Sequence, residues 1–320
     1  MKFYSCIILI LIILNTYSQE KMKIPPYLKQ GDTVAIVCTA RKFMPEEAKP
    51  AIELLESWGL KVKLGRTIGL DSCQLGGTDV ERAADLQKMM DDDNIKAIWC
   101  ARGGYGTVRI IDLLDFSKFS EKPKWIMGFS DVTVLHSHLN TLGIATLHSI
   151  MPFTVPNAPE NVKQTLKDAL FGKKIEYIIP SKSYDVKAKA KGELVGGNIS
   201  ILYSLLGSVS SICTEGKILF IEDLDEYLYH VDRMMYNLKR NGYFEKAKGI
   251  IVGSMRDMHD NEIPFGQNEV QIITAIAKEY QIPIAFEFCA GHQKDNRTLI
   301  LGSQVEFEVN ENEIKLKFNN

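Results

Sequence analysis

A serine lies where an apolar run gives way to a helical pattern, in the motif Gly128-Phe129-Ser130-Asp131. Residues 125–127 predict a strand and residues 132–136 a helix, so the serine is expected at the tip of a strand-to-helix turn. Such a turn exposes a hydroxyl and directs the next backbone N–H groups at one point, which suits a nucleophile beside an anion-stabilising donor. The motif departs from the hydrolase pattern G-x-S-x-G because Val132 takes the place of the last glycine. The alternative is that Ser130 only caps the helix, where serine is a preferred residue.

A nucleophilic serine needs a base, and His292 is the histidine best placed to be one. It follows Ala290-Gly291 directly after a predicted strand and precedes a polar loop. Catalytic side chains are often carried on such loops at strand ends. The alternative is a solvated loop histidine without a catalytic role.

The base needs a carboxylate to orient it, and Glu222 stands at the end of the apolar run 218–221. A carboxylate just past a buried strand can accept a hydrogen bond from an imidazole. Glu222 could instead be an acid favoured by the dipole of the following helix. Asp223 and Asp225 are further candidates, and their spacing alone does not rank the three acids.

The turn Gly103-Gly104-Tyr105-Gly106 is a second place where the backbone could contact an anion. Glycine lets the chain approach a ligand closely and present its N–H groups, as an oxyanion hole requires. A phosphate loop is the weaker interpretation, because Arg109 occupies the third glycine position of G-x-G-x-x-G and no G-x-x-x-x-G-K-[ST] occurs. We therefore expect no nucleotide cofactor. No metal is expected either, because His136 and His138 lie two apart on a predicted helix and face different directions, and no C-x-x-C occurs.

The elements that must position these residues alternate between strand and helix in the first half of the chain. The predicted strands are 33–38, 60–64, 96–100, 125–127 and 145–147. The predicted helices start at about 45 or 50 and end at 58, and then cover 78–90, 107–114 and 131–142. Repeated βα units indicate an α/β fold with a parallel sheet covered by helices on both faces, in which ligands bind beyond the carboxyl ends of the strands.

The second half continues the alternation after a segment rich in proline and charge. Residues 152–191 are interpreted as a connection between an N-terminal domain, 19–151, and a C-terminal domain, 192–320. The predicted helices there are 198–206, 226–240 and 269–280. The predicted strands are 218–221, 249–252 and 283–286, with a final strand pair near 298–308 and 313–318.

Composition limits the classes of partner. The chain has 320 residues, of which 45% are hydrophobic and 24% charged, as in soluble globular proteins. Its formal charge of -2 gives no indication of a nucleic-acid or anionic-membrane partner.

The N-terminus resembles a secretory signal. Lys2 precedes the apolar run 7–14, and Thr16-Tyr17-Ser18 offers small residues for cleavage. We expect residues 1–18 to be removed, so that the mature protein begins near Gln19 and works outside the cytoplasm, in a periplasm, without a membrane anchor. An uncleaved N-terminal anchor is the alternative.

The cysteines do not form a recognisable framework. Five follow the signal, at scattered spacing and without a C-x-x-C pair: Cys38, Cys73, Cys100, Cys213 and Cys289. A disulfide scaffold or zinc site is therefore not expected, although one pair could form in an oxidising compartment. Cys38 and Cys100 end apolar runs and are interpreted as buried thiols.

Taken together, the motifs resemble those of the LD-carboxypeptidases, serine peptidases also called muramoyltetrapeptide carboxypeptidases. The matching stretches, in the family's order, are 77–86, 101–106, 128–133, 196–198, 219–223, 232–233, 291–292 with Asn296, and 301–302. Each motif is weak alone, but the ordered set spans nearly all of the mature chain. The chain departs from the family in having Cys38-Thr39-Ala40 after the first strand, where Ala-Pro-Ser is common, and in its secretory signal.

The resemblance implies a role for each candidate residue. Ser130 would be the nucleophile, Glu222 rather than Asp223 the orienting acid, and His292 the general base. The backbone N–H groups of Asp131 and of Gly104, in the Gly103-Gly104 turn, would form the oxyanion hole. The implied fold is a flavodoxin-like N-terminal domain plus a smaller mixed α/β C-terminal domain, with the triad assembled across their boundary and a homodimer as the assembly.

The implied reaction is hydrolysis of the bond between an L-diamino acid and the terminal D-alanine of murein tetrapeptides. One alternative is a microcin-immunity-like amidase acting on peptidyl-nucleotide antibiotics, which would need an aromatic side chain to stack on the base. A non-enzymatic alternative is a secreted solute-binding protein, which would have no need of Ser130, Glu222 and His292 at three element ends.

Overall fold

The computed structural model describes residues 22–319 as two β-sheets with flanking helices. In chain order the strands are β1 (Thr33–Val37), β2 (Lys61–Leu64), β3 (Ile95–Cys100), β4 (Trp125–Gly128), β5 (Thr146–His148), β6 (Glu176–Pro180), β7 (Ala188–Asn198), β8 (Ile218–Leu224), β9 (Gly249–Arg256), β10 (Ile284–Ala285), β11 (Leu299–Leu301), β12 (Gln304–Val309) and β13 (Glu313–Phe318). The helices are α1 (Pro45–Ser57), α2 (Asp79–Asp91), α3 (Ser117–Glu121), α4 (Thr133–Thr141), α5 (Glu160–Leu170), α6 (Ile199–Ser204), α7 (Leu228–Arg240) and α8 (Glu269–Ala277). The expected signal at residues 1–18 lies outside the described residues. Among those described, no helix has both the length and the apolar character needed to cross a membrane.

The first sheet has the strand order β11-β5-β4-β3-β1-β2. Strands β1 to β5 are all parallel, in the order 2-1-3-4-5 of flavodoxin-like folds. The predicted parallel α/β fold is confirmed. The strands form because their apolar runs are covered on both faces, as in β1, where Val34 to Val37 are fully buried.

Local sequence signals start the helices where expected. Thr78 caps α2 by accepting a hydrogen bond from the Glu81 N–H at 3.2 Å. The Glu81 carboxylate accepts the Thr78 N–H in return, at 2.8 Å. This is the predicted capping box, which satisfies two N–H groups that the helix itself leaves unpaired.

The second sheet has both parallel and antiparallel strands, with the order β10-β9-β8-β7-β12-β13-β6. Strands β7 to β10 are parallel, whereas β12, β13 and β6 add antiparallel strands on one side. The end of β7 packs closely on the first domain, because a Cβ at Gly197 would lie 2.5 Å from the Thr133 hydroxyl at the start of α4. The Asn198 N–H donates to that hydroxyl at 3.1 Å. The carboxyl ends of β4 and β8 are thereby held near one another.

The segment 152–191, interpreted from its prolines as a connection, contains α5, β6 and the beginning of β7. In α5 the residues Val162, Leu166, Ala169 and Leu170 are fully buried and recur at helical spacing. Four prolines and many charges obscured that spacing in the sequence. Strand β6 pairs with β13 at the sheet edge, where its final Pro180 removes no internal hydrogen bond.

Two expected elements differ in kind. Residues 107–114, expected as one helix, form two short 3-10 turns, Thr107–Arg109 and Ile111–Leu113, since this segment is rich in β-branched residues that are poor helix formers. The expected long strand from 298 to 308 is broken at Gly302, whose φ is 91°. Its first part, β11, joins β5 of the first sheet, and only β12 belongs to the second.

All five cysteines of the described residues carry free thiols. Cys38 and Cys100 are fully buried, as predicted. Burial raises the pKa of each thiol to about 12, so both are protonated and poorly reactive at neutral pH.

Candidate active site

Ser130 occupies a strained turn directly after β4. Its φ is 62°, in the left-handed region that costs an ordinary residue about 1–2 kcal/mol. Gly128, two residues before Ser130, has φ 152°, and a Cβ there would lie 2.8 Å from a Val132 methyl group. Val132 can therefore replace the last glycine of the hydrolase pattern because Gly128 makes room for it.

The capping alternative for Ser130 is not supported. Helix α4 begins at Thr133 with Val132 at the capping position, and the Ser130 side chain makes no capping hydrogen bond. Among residues 22–319 the hydroxyl has no hydrogen-bond partner, and it lines a cleft. A strained, unpartnered hydroxyl facing a cleft is typical of a functional residue.

The backbone strain at Ser130 predicts which of two variants at this position is the more stable. We expect Ser130→Gly to be more stable than Ser130→Ala by about 1 kcal/mol, because glycine alone is free of the left-handed penalty. Ser137, in the middle of α4, is a matched control, for which the glycine variant should be the less stable of the two by about 1 kcal/mol. Urea unfolding of the four variants measures both differences, and equal stabilities at position 130 would contradict the strain.

Glu222 and His292 contact one another across 70 positions of sequence. The Nδ1 atom of His292 lies 2.6 Å from Oε2 of Glu222, and the His292 backbone N–H donates to the same oxygen at 3.3 Å. Glu222 is fully buried at the carboxyl end of β8. Since the same carboxylate oxygen accepts the backbone N–H, we assign the ring proton to Nδ1, which donates it to Glu222, and Nε2 is left free to accept a hydrogen bond.

The other two acids that the sequence left open point elsewhere. Side chains alternate along a strand, so Asp223 lies on the opposite face from Glu222. Asp223 accepts hydrogen bonds from the Asn198 side-chain amide at 2.8 Å and the Ser200 N–H at 2.9 Å. Asp225 lies 2.5 Å from the imidazole of His259. Of the three, Glu222 is the acid in contact with His292.

Two opposing effects act on the pKa of His292. Burial lowers the pKa, but the charge and hydrogen bond of Glu222, with a further contribution from Asp223, together raise it above its usual value.

The Phe129 ring packs on the imidazole of His292 with 4.9 Å between centroids, which fixes the orientation of the imidazole. Burial raises the pKa of Asp223 to about 7, and the neighbouring Glu222 charge adds to the effect.

Glycines allow the His292 loop to approach β8. Gly291 has φ 102°, and a Cβ there would lie 2.7 Å from the Ser254 hydroxyl and 2.9 Å from Oε2 of Glu222. The Gly291 N–H donates to the side-chain oxygen of Asn296 at 2.8 Å, which closes the loop. The dipeptide Gly291-His292 is apparent in the sequence, whereas no motif indicates that Ser254 lies beside this glycine.

The turn 103–106 lies against the nucleophile. A Cβ at Gly103 would be 3.1 Å from Cβ and 3.2 Å from Oγ of Ser130. The Asp131 carboxylate accepts the Thr107 N–H at 2.9 Å, and the buried Arg82 donates to the Gly106 carbonyl at 2.8 Å. The structure thus brings the two glycine-rich turns together and holds them with Asp131 and Arg82; Arg82 had no assigned role in the sequence.

This contact predicts that Gly103→Ala impairs turnover. The added methyl group must displace Ser130 by a few tenths of an ångström, and we expect about a tenfold loss of kcat, since a displacement of about 1 Å can cost about a hundredfold. Gly143→Ala is the control, because φ is 71° there and a Cβ would meet nothing within 4 Å. It should lower stability and leave kcat unchanged, as steady-state kinetics and thermal unfolding will measure. Full activity of Gly103→Ala would contradict a tight fit at the nucleophile.

The remaining histidines lie outside the Glu222–His292 pair. His136 Nε2 donates to the Gly128 carbonyl at 2.9 Å, and His148 is buried between the rings of Phe129 and Phe220. His230 and His259 form carboxylate pairs with Glu226 and Asp225, which line the cleft. Sequence reasoning missed both pairs, although Glu226 and His230 are spaced to meet on one helix face. No cluster of three or more His, Cys, Asp or Glu side chains in the described chain could hold a metal ion.

The cleft has two lobes that meet at His292. The larger, about 530 Å³, contains Ser130, the Gly103-Gly104 turn and Asp131. The smaller, about 360 Å³, lies beyond His292 and is lined by the end of β9, by the loop after β10 and by residues 150–158, which follow β5. The residues shared by both lobes are Phe129, Phe153, Thr154, Leu224 and His292. The arrangement can hold a carbonyl group against Ser130 with substituents on either side.

Known proteins of one family match both halves of the chain. A model of the LD-carboxypeptidase N-terminal domain matches residues 34–149, and one of the LD-carboxypeptidase C-terminal domain matches residues 191–307. The probable murein peptide carboxypeptidase of Bacillus subtilis (strain 168) is 37% identical over 300 residues, covering 90% of this chain and 92% of that protein. The microcin C7 self-immunity protein MccF of Escherichia coli is 24% identical over 304 residues, covering 83% and 86%.

A solved structure shares the fold. The crystal structure of muramoyltetrapeptide carboxypeptidase from Oxalobacter formigenes matches with a TM-score of 0.82 at 24% sequence identity. The match covers 90% of this chain and 99% of that chain. At this identity the likeness establishes the fold alone.

Proposed function

The chain belongs to the LD-carboxypeptidase family, and we propose that it is a serine peptidase that removes the terminal D-alanine from murein tetrapeptides. The scissile bond is the one between the L-centre of the diamino acid and D-alanine. The observation that carries the proposal is the Glu222–His292 pair, 2.6 Å apart, on the cleft that holds the strained Ser130. A nucleophile, a base and an orienting acid are the parts that acyl transfer requires.

In the proposed mechanism Ser130 Oγ attacks the carbonyl carbon of the diamino acid while His292 Nε2 accepts the hydroxyl proton. The resulting imidazolium is stabilised by Glu222 at Nδ1. The backbone N–H groups of Asp131 and Gly104 stabilise the oxyanion. His292 then donates its proton to the amine of the departing D-alanine, and a water molecule activated by His292 hydrolyses the acyl-enzyme.

A microcin-immunity-like amidase is the second candidate, and Phe153 is the observation that favours it. This ring is 41% exposed and lines both lobes of the cleft, where it could stack on a nucleotide base. The Arg102 guanidinium already covers one ring face at 3.9 Å. A solute-binding protein has the weakest support of the three, because binding alone requires neither a strained serine nor the Glu222–His292 pair.

A direct comparison of substrates separates the two enzymatic candidates. Purified mature protein is given the murein tetrapeptide or a peptidyl sulfamoyl nucleotide, and kcat/KM is measured for each by mass spectrometry. We expect efficient release of D-alanine and slow or no cleavage of the nucleotide conjugate. Cleavage of the conjugate alone would reject the carboxypeptidase and favour the amidase.

We further propose that the protein is exported and acts in the periplasm, where it would meet murein peptides on the wall or on shed fragments. The support is the charged, apolar and small-residue pattern of residues 1–18. N-terminal sequencing of protein from fractionated cells should find a mature chain beginning near Gln19. An intact Met1 in the cytoplasmic fraction would overturn the location and leave the catalytic proposal unaffected.

The family resemblance also leads us to propose a homodimer. Light scattering during gel filtration of the purified protein should give twice the mass of one chain. A mass of one chain at micromolar concentration would contradict it.

A further inference from the structure

We propose that the smaller lobe of the cleft holds the departing D-alanine and binds its terminal carboxylate through Arg256, with Lys294 as a second cation. This inference rests on the proposed function and adds the residues that make the enzyme specific for a free C-terminus. It also assigns the direction in which the substrate lies in the cleft, with the leaving group beyond His292 and the rest of the peptide in the larger lobe.

The position of His292 determines this direction of the substrate. A base that takes the proton of Ser130 must return it to the leaving amine, so that amine lies on the His292 side of the scissile carbonyl. The smaller lobe is lined by His292 but not by Ser130, Gly103 or Gly104, which all line the larger lobe. The carbonyl and its oxyanion donors therefore belong to the larger lobe, and the leaving group extends into the smaller one.

The charged residues that line the two lobes support the same orientation of the substrate. The smaller lobe is lined by two cations, Arg256 and Lys294, and one acid, Asp257. The larger lobe has two cations, Arg41 and Arg102, and two acids that are not buried, Asp225 and Glu226, so its charges balance. Its other two acids, Asp131 and Asp223, are buried, and burial raises the pKa of both. A terminal carboxylate is thus favoured in the smaller lobe over the larger.

Arg256 is available for a ligand. It is the last residue of β9, its side chain is exposed, and its backbone is fixed because its carbonyl accepts the Asp225 N–H at 2.9 Å. The next residue, Asp257, has φ 53°, so the chain turns sharply after the arginine. Within residues 22–319 neither Arg256 nor Lys294 forms an ion pair. By contrast, Arg82, Arg109 and Arg297 are each paired with an aspartate.

A guanidinium can bind a carboxylate through two parallel hydrogen bonds, which an ammonium group cannot. We therefore expect Arg256 to contribute more than Lys294. A terminal carboxamide, which lacks the charge, would lose most of this interaction.

Binding to an inactive enzyme tests the site without requiring turnover. The Ser130→Ala variant is titrated calorimetrically with L-Ala-γ-D-Glu-L-Lys-D-Ala and with the same peptide ending in a carboxamide. The acid should bind about 10- to 100-fold more tightly, as for a hydrogen bond to a charged group. Adding Arg256→Gln should remove most of this preference, Lys294→Gln a smaller part, and the exposed Arg240→Gln, at the end of α7, none.

Two results would overturn the proposal: equal binding of acid and carboxamide, or loss of the preference on Arg102→Gln instead of Arg256→Gln. Turnover of the tetrapeptide by the wild-type protein is measured in parallel and reports on the proposed function separately. Turnover without a carboxylate preference would reject the site alone. A preference that depends on Arg256, without turnover, would retain the site and reject the reaction.

Discussion

Ser130→Ala is expected to abolish turnover while the protein stays folded. Loss of the nucleophile of a serine triad costs about 10⁶-fold in kcat, and alanine keeps the backbone and the packing of the turn. Stopped-assay kinetics measure the loss, and circular dichroism with urea unfolding checks the fold. Ser137→Ala is the matched control, because its side chain is buried in α4, outside the cleft, and its kcat should be unchanged.

A covalent probe tests the same assignment independently. A serine-directed phosphonate should label the wild-type protein on the peptide that contains Ser130, and it should not label Ser130→Ala. Retention of more than about a tenth of wild-type activity by Ser130→Ala, against the loss expected for a nucleophile, would contradict the assignment. Labelling of another serine would do so too.

Glu222→Gln is expected to lower kcat by about 10³- to 10⁴-fold, because a neutral amide no longer stabilises the imidazolium or enforces the proton on Nδ1. The pH profile should change as well. The base acts when neutral, so kcat/KM rises with pH through the pKa of His292, and that pKa lies above the usual value of about 6.5 because of Glu222. Without Glu222 the lowering effect of burial remains, so the midpoint should move to lower pH.

Asp223→Asn separates the orienting acid from its neighbour. Asp223 does not contact His292, and its effect on the pKa of His292 is the smallest of those that raise it. We expect this variant to shift the midpoint only slightly. A flat kcat/KM profile of the wild-type protein between about pH 5 and 8 would count against a histidine base. A larger shift for Asp223→Asn than for Glu222→Gln would assign the orienting role to Asp223.

The positions of the site residues were largely predictable from sequence because they stand at element ends. Apolar runs before Ser130, Glu222 and the His292 loop mark buried strands, and ligands bind beyond the carboxyl ends of such strands. Ser130 follows β4 of the first sheet, whereas Glu222 and the His292 loop belong to the second. That these two edges meet was indicated only by the family resemblance. The choice among Glu222, Asp223 and Asp225 was not predictable from spacing. It depends on which side chain the pleat of β8 directs toward His292, and only the family resemblance indicated Glu222 in advance.

Other features depend on contacts between distant segments. The chain turns at Gly302, directly after β11, and passes from the first sheet to the second. The pattern of apolar residues over 298–308 does not indicate this change of sheet. Helix α5 was not predicted, because prolines and charged residues surround it in the sequence, although Val162 and Leu166 have helical spacing. The pairing of Asp225 with His259 joins two loops and has no local signature.

The most direct test of the central claim is the stereochemistry of the bond cleaved. The purified protein is incubated with the murein tetrapeptide, which ends in an L-diamino acid–D-alanine bond, and with the pentapeptide, which ends in D-alanyl–D-alanine. The products are identified by liquid chromatography and mass spectrometry. We predict that the tetrapeptide yields the tripeptide and one equivalent of D-alanine, that the pentapeptide is left intact, and that Ser130→Ala yields neither product. An unreacted tetrapeptide, or release of D-alanine from the pentapeptide alone, would contradict the account.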